Sequence, residues 1–200
     1  LYDIVNMISM KAKDKGLEIK LSLDEQLPSK LYGDDVRLRQ ILINLLNNAV
    51  KYTETGSVTL SVSGEIQDSN VNLYFEVKDT GIGIKKEDLS KLFEEFERIE
   101  EKRNRNIEGT GLGMSITTQL LTMMGSQLKV DSVYGEGSKF YFHLLQNIVD
   151  KEPIGDIEER IREQVVEYNY EVSFVAPEAK ILVVDDNQVN RKVFLNLLKE

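Results

Sequence analysis

The sequence contains no cysteine, which excludes disulfides, thiolate nucleophiles and cysteine-ligated zinc. Its single histidine is His143, so no metal centre can be assembled from several imidazoles. No apolar run approaches the roughly 20 residues of a membrane-spanning helix, and no signal-peptide pattern opens the chain. Tandem repeats and low-complexity tracts are also missing. Basic residues are in the minority: 25 Lys and Arg stand against 34 Asp and Glu, a formal net charge of −9. A surface of that sign is a poor general match for a nucleic-acid backbone or an anionic membrane, so neither is expected as a partner.

What remains is a folded composition, 41% hydrophobic and 30% charged over 200 residues, enough for one domain and part of another. The chain lacks an initial methionine and stops in mid-pattern at Leu197-Leu198-Lys199-Glu200, so it reads as a piece of something longer. Leu1, Ile4, Val5, Ile8 and Ala12 recur at helical spacing over 1–15, and Lys15-Gly16 stops the helix. Leu17, Ile19, Leu21 and Leu23 alternate as a strand. A turn at 26–29 and a short piece at 30–32 lead to Asp34 or Asp35, either of which can cap the next helix.

That helix, over 35–52, carries the core stripe Leu38, Ile41, Leu42, Leu45, Leu46 and Ala49. Alternating strands follow around 58–62 and 73–77, joined by a polar hairpin turn at 67–70. After a long charged stretch, a helix through Ile116, Leu120 and Leu121 is expected, then strands at 128–130 and 140–144. This pattern predicts an α+β fold, a two-layer sandwich with helices on one face of a mixed, mainly antiparallel sheet. His143 falls on the strand face opposite Phe140, Phe142 and Leu144.

The expected domain runs over 1–149. Residues 150–171 hold eight acidic and three basic side chains, and 150–176 is expected to be an acidic connector. Ile181-Leu182-Val183-Val184 has the continuous apolar character of a parallel strand buried on both faces. Followed by Asp185-Asp186-Asn187 and an incipient helix, it begins a βα unit over 177–200.

Four features could carry chemistry. Asn44, Asn48 and Lys51 share one face of the long helix. Mid-helix asparagine is unfavourable by propensity; the face is either a solvated edge or a set of oxygen donors for Mg²⁺ with a lysine for phosphate. Asp79-Thr80-Gly81-Ile82-Gly83-Ile84 follows a strand: either an ordinary Asp-Gly turn or a carboxylate acceptor for a purine amine. Gly109-Thr110-Gly111-Leu112-Gly113 precedes a helix, where free N–H groups can cradle an anion. It is neither a Walker motif nor a dinucleotide fingerprint. Between the glycine clusters, Lys102, Arg103 and Arg105 are either a solvated charge run or the cations of a mobile lid.

In their order along the chain, asparagine-bearing helix, Asp79 turn, lid and glycine-rich helix start, the four features resemble the ATP-binding catalytic domain of sensor histidine kinases, within the group that includes DNA gyrase B and the Hsp90 chaperone. Leu38 through Thr53 resembles the N box, Asp79–Ile84 the G1 box, Leu92–Arg98 the F box and Gly109–Met114 the G2 box. The resemblance covers roughly 1–146 and implies a Bergerat-type ATP-binding fold with ATP and Mg²⁺ as cofactors. It implies Asn48 as the Mg²⁺ ligand with Asn44 nearby, Lys51 at phosphate and Tyr52 at the nucleotide's edge. Asp79 would bind the adenine amine, and Gly81 and Gly83 would line the base and sugar. Thr110, Gly111, Leu112 and Gly113 would place backbone donors at the phosphates, with Arg105 in the lid. Phe93 and Phe96 would anchor that lid. Related ATPases carry a glutamate base where this chain has Asn44.

Residues 180–191 resemble the start of a response-regulator receiver domain, with Asp185 and Asp186 as its Mg²⁺-binding pair. The implied parent is a hybrid histidine kinase, a homodimer whose phosphorylated histidine lies upstream in a dimerisation domain. The implied partners are that domain and a receiver domain, its own or separate. The fragment reads as a cytoplasmic portion of a parent that is either soluble or anchored at the inner or plasma membrane. Two rivals remain: a gyrase- or Hsp90-like ATPase, and a nucleotide-responsive module of a degenerate kinase.

Overall fold

A computed structural model describes residues 1–89, 92, 112–156, 178–184 and 191. The chain falls into two units, Leu1–Ile157 and Glu158–Glu200. In the first, helix α1 (Tyr2–Lys13) precedes strands β1 (Glu18–Leu23) and β2 (Pro28–Tyr32). Helix α2 (Asp35–Tyr52) leads into β3 (Ser57–Gln67) and β4 (Asn70–Asp79). Helix α3 (Gly113–Met123), β5 (Lys129–Val133) and β6 (Gly137–Pro153) complete the unit.

The sheet has the order β1-β3-β4-β6-β2, and β5 also pairs with β6. Among the described residues only β1 and β3 run parallel; the other ladders are antiparallel. The expected mixed, mainly antiparallel sandwich is therefore present. Register explains its single dry face. Leu60↔Val77, Val62↔Phe75 and Phe75↔Phe142 are direct partners, so one row of side chains from three strands points at the helices. Phe75 and Phe142 stack with ring centroids 4.9 Å apart. Ile41, Leu42, Leu45 and Leu46 of α2 are buried against this face, and α1 adds Ile4, Val5, Ile8 and Ala12. The opposite face carries Tyr74, Glu76, Tyr141 and His143, with Tyr74 and His143 rings 5.1 Å apart. His143 thus sits on the wet face its alternation indicates.

Helix α2 begins where the Asp34 carboxylate accepts the N–H of Arg37 at 2.9 Å, an N-cap that satisfies one of the unpaired first-turn donors. The β3–β4 hairpin closes through Asp68 and Ser69, Asp68 at φ +55°, a conformation aspartate tolerates better than most residues.

Two expectations need correction. Strand β6 does not end near Leu144 but continues to Pro153, pairing Lys30 with Asp150 and Pro28 with Pro153. Residues 150–153, expected in the connector, are strand. Their charge is compatible with an edge of the sheet: Lys151 and Glu152 are exposed, and Asp150 lies 3.9 Å from the Lys30 ammonium. In the second unit, 181–184 forms no strand. Ile181, Leu182 and Val184 are 61%, 87% and 84% exposed. A strand buried on both faces needs ladder partners, and among the described residues none pairs with this run. Among the described residues no helix is long and apolar enough to cross a membrane.

Candidate functional site

The site forms where the C-terminal end of β4, the start of β6 and the helices α2 and α3 meet. Asp79 is the last residue of β4, only 5% exposed. Its Oδ1 accepts the backbone N–H of Gly81 at 2.9 Å and of Ser138 at 3.2 Å. Among the described residues nothing donates to Oδ2. Burial pushes this carboxyl above the ordinary carboxylate value, and the two N–H bonds only partly offset that. A buried acceptor without a donor is costly and asks for a partner.

The following loop is pinned on both sides. The N–H of Ile82 donates to the carbonyl of Tyr52, at the end of α2, at 3.2 Å. On the far side Gly135 N–H donates to the Ile82 carbonyl at 2.8 Å. Ile84 N–H donates to the Ser132 hydroxyl at 2.8 Å, which in turn donates to the Gly137 carbonyl at 2.9 Å and touches the Ser138 hydroxyl at 3.0 Å. Two glycines allow this closeness. A Cβ on Gly81 would stand 2.4 Å from the Tyr52 carbonyl oxygen, and one on Gly83, at φ +65°, 2.0 Å from that of Val133.

Helix α2 faces α3 across two carboxamides. Asn44 donates from Nδ2 to Thr117 Oγ1 at 2.8 Å, and a Cβ on Gly113 would stand 2.3 Å from Asn44 Oδ1. Asn48 donates from Nδ2 to the Met114 sulfur at 3.3 Å, and nothing among the described residues donates to its Oδ1. The asparagine face of α2 is therefore not simply a solvated edge. The Lys51 ammonium lies 4.9 Å from the centroid of the Tyr52 ring, and that of Lys85 5.1 Å from the Tyr134 ring, so both cations sit over aromatic faces near the loop. Leu112 is the N-cap residue of α3 and lacks a side-chain cap.

Of the residues singled out in the sequence, Asn44, Asn48 and Gly113 meet across α2 and α3. Tyr52, Asp79 and Gly81 meet around the β4–α2 junction, with Lys51 beside Tyr52, whereas Gly83 packs against Val133 and Tyr134. Arg105, Thr110, Gly111, Asp185 and Asp186 lie outside the described residues, as do Phe93, Phe96, Lys102 and Arg103. Sequence reasoning missed Ser132, Ser138 and Thr117. A signal existed for two of them. Ser138 continues the inward row Phe140, Phe142, Leu144, and Ser132 the inward position after Val130; a hydroxyl on a dry row invites a specific partner.

Residues 33–148 match the family described as histidine kinase-, DNA gyrase B- and HSP90-like ATPase. Among similar proteins are hybrid signal transduction histidine kinase B of Dictyostelium discoideum, 34% identical over 96% of this chain and 10% of that protein, and the peroxide stress-activated histidine kinase mak2 of Schizosaccharomyces pombe, 34% identical over 98% and 9%. The signal transduction histidine-protein kinase BarA of Escherichia coli is 37% identical over 72% of this chain and 16% of its own. The chain thus spans between 9% and 16% of these relatives. Among solved structures, full-length ShkA in complex with AMPPNP superposes with a TM-score of 0.64 at 33% identity, over 74% of this chain and 30% of that one. With the matched family spanning α2 through most of β6, this chain belongs to the histidine kinase-, DNA gyrase B- and HSP90-like ATPase family.

Proposed function

We propose that the chain is the ATP-binding catalytic domain of a hybrid histidine kinase, and that it moves the γ-phosphate of ATP to a histidine on a dimerisation domain of the same protein. The observation that carries the reading is the open Oδ2 of buried Asp79. An ionised carboxylate only accepts hydrogen bonds, so it selects a purine edge bearing an amino group over one bearing a carbonyl. The names of the relatives, all histidine kinases, and the AMPPNP in the ShkA complex support the same assignment.

The described residues fit the rest of a nucleotide. Gly81, with no Cβ, lets the loop close against the Tyr52 carbonyl beside Asp79, and would line the base there. Asn48 holds its carboxamide by the nitrogen and leaves the oxygen for Mg²⁺. Lys51 would supply positive charge to phosphate, Tyr52 would meet the nucleotide's edge, and Gly83 would line the sugar. Thr110, Gly111, Leu112 and Gly113 would offer N–H groups at the start of α3, with Arg105 above them. Bound Mg²⁺ would neutralise charge on the phosphate oxygens. In the transfer, a lone pair of the acceptor imidazole forms the P–N bond as the bond from the γ-phosphorus to the bridging oxygen breaks. ADP leaves with that electron pair, and the imidazole proton passes to solvent. Asn44 is not a base, and its amide is engaged by Thr117, which favours transfer to a histidine over activation of water.

The wider parent belongs to the same proposal. The similarities to the Dictyostelium and Schizosaccharomyces proteins reach over 96% and 98% of the chain, beyond the ATPase-like region, and support reading 177–200 as the start of a receiver with Asp185 and Asp186 as its Mg²⁺ pair. The parent would be a homodimer, with this portion in the cytoplasm. Calorimetry of the chain with AMPPNP, with and without Mg²⁺, tests the reading. Binding that strengthens with Mg²⁺ is expected, and with a dimerisation domain added upstream, ATP should yield an acid-labile phosphohistidine. Absence of binding, or steady ATP hydrolysis by the chain alone, would overturn it.

A further inference from the structure

Lys15 lies in the turn after α1, yet its ammonium works at the far end of α2. Nζ donates to the carbonyl oxygens of Val50 at 2.9 Å, Lys51 at 3.0 Å and Thr53 at 3.4 Å. An ammonium has three donors, and here all of them go to the C-terminal end of one helix. The last carbonyls of a helix have no partner within it and carry the negative end of its dipole. Lysine, with a compact charge on a long stem, can gather several converging carbonyls.

The same peptide groups form one wall of the loop at 79–84. The Tyr52 carbonyl, between those of Lys51 and Thr53, accepts the N–H of Ile82 at 3.2 Å. That oxygen and the Thr53 hydroxyl, with Asp79 Oδ1, leave no room for a Cβ on Gly81. Thr53, fully buried, donates its hydroxyl to the Ala49 carbonyl at 2.7 Å. Along residues 50–53, Lys15 is therefore bonded to the carbonyls of Val50, Lys51 and Thr53, and the Asp79 loop is bonded to that of Tyr52. The stem of Lys15 in turn follows a helix held in the core by Ile4, Val5, Ile8 and Ala12.

We propose that Lys15 is a positioning residue for the nucleotide site: by tying together the last carbonyls of α2 it fixes Tyr52, and through Tyr52 the loop from Asp79 to Ile84. The position of α1 is thereby linked to the geometry of the loop by hydrogen bonds as well as by packing. The consequence for ligand binding rests on reading this loop as the purine site; the link itself does not.

Amide hydrogen exchange on the full chain without nucleotide tests the link. Lys15→Met removes the donors and keeps the stem. Lys13→Met removes an equal charge from the last turn of α1, where the ammonium has no hydrogen-bond partner among the described residues. In Lys15→Met the Ile82 amide should exchange at least about tenfold faster, the scale of losing a hydrogen bond to a charged group. The Phe75 amide in the middle of β4 serves as reference for global opening and should be unaffected. Lys13→Met should leave both amides unchanged. If Lys15→Met does not fold, Lys15→Leu, which also removes the donors and keeps an apolar stem, is read in the same way.

Unchanged Ile82 protection in a folded Lys15 variant, or equal acceleration at Ile82 and Phe75, or equal acceleration by Lys13→Met, would each overturn the proposal. AMPPNP titration then separates the two readings. A weakening of about fivefold in Lys15→Met, with none in Lys13→Met, is the expected consequence at the site. A wild-type chain that binds no AMPPNP refutes the assigned function, while the exchange result still decides the role of Lys15.

Discussion

Asn44 on α2 and Thr117 on α3 are joined by a hydrogen bond of 2.8 Å from the carboxamide to the hydroxyl. Thr117 is 1% exposed, so the bond lies at a dry contact between the two helices that carry the asparagines and the glycine-rich start of α3. It gives Asn44 a structural role alongside any contact with a nucleotide. Asn44→Ala should leave the Thr117 hydroxyl without this donor and cost about 1–3 kcal/mol. Thr117→Val should cost less, and the double variant less than the sum of the two. Urea unfolding of the four proteins measures the coupling; strict additivity would mean that the bond contributes nothing.

Asp79 is expected to trade stability for binding. Its carboxyl is raised by burial, so the folded state holds the proton more tightly than the unfolded chain. The sign follows: the group's contribution is most favourable below the ordinary aspartate value of 3.8 and is lost as pH rises through the elevated folded value. Asp79→Asn keeps a carbonyl oxygen for Gly81 and Ser138 but carries no charge. It should be at least as stable as wild type at pH 7, with the gap closing as the pH is lowered towards 3.8. Its affinity for AMPPNP should fall roughly 10- to 100-fold. Denaturant midpoints across pH, beside calorimetry, check both halves; a variant less stable at neutral pH would contradict the sign.

Gly83→Ala should be among the more damaging changes of one methyl group. The residue sits at φ +65°, and the new carbon would meet the Val133 carbonyl at 2.0 Å. The left-handed conformation alone costs a residue with a side chain on the order of 1 kcal/mol, and the collision adds to it. Thermal unfolding should show the loss, and the Gly135 amide, bonded to the Ile82 carbonyl, should lose exchange protection.

Ser132→Ala removes the acceptor of the Ile84 N–H and the donor to the Gly137 carbonyl together. Losing both bonds should destabilise the chain by about 1–3 kcal/mol and weaken AMPPNP binding, because the loop loses its anchor at Ile84. Thermal midpoints and calorimetry would check this. Ser132→Thr, which retains the hydroxyl, should behave closer to wild type.

Much of this architecture was legible in the chain. Ile41, Leu42, Leu45, Leu46 and Ala49 mark the buried stripe of α2, and the observed helix, Asp35–Tyr52, has the limits its cap and stripe indicate. The alternation from Leu73 to Val77 and from Phe140 to Leu144 marks the dry face correctly because period-two burial is local information. The end of β6 was not legible. Asp150 to Pro153 reads as connector by charge, whereas an edge strand with one wet face accepts charge once β2 lies alongside to pair with it. The apolar run 181–184 errs the other way: composition suggests a buried strand, but burial needs a neighbour.

By itself the sequence determined the elements, their order, the dry side of the sheet and the identity of the polar residues set near glycines, since all of these follow from periodicity and from what each side chain can do. Only the tertiary structure decided which of those polar groups are already occupied. Asn44 and Thr117 are 73 residues apart, Asp79 and Ser138 are 59, and Ser132 and Ile84 are 48. Hydrogen bonding is directional and effective only within about 3 Å, so whether a carboxylate or carboxamide oxygen is spent on the protein or left for a ligand depends on sheet register and helix packing, which no local pattern records.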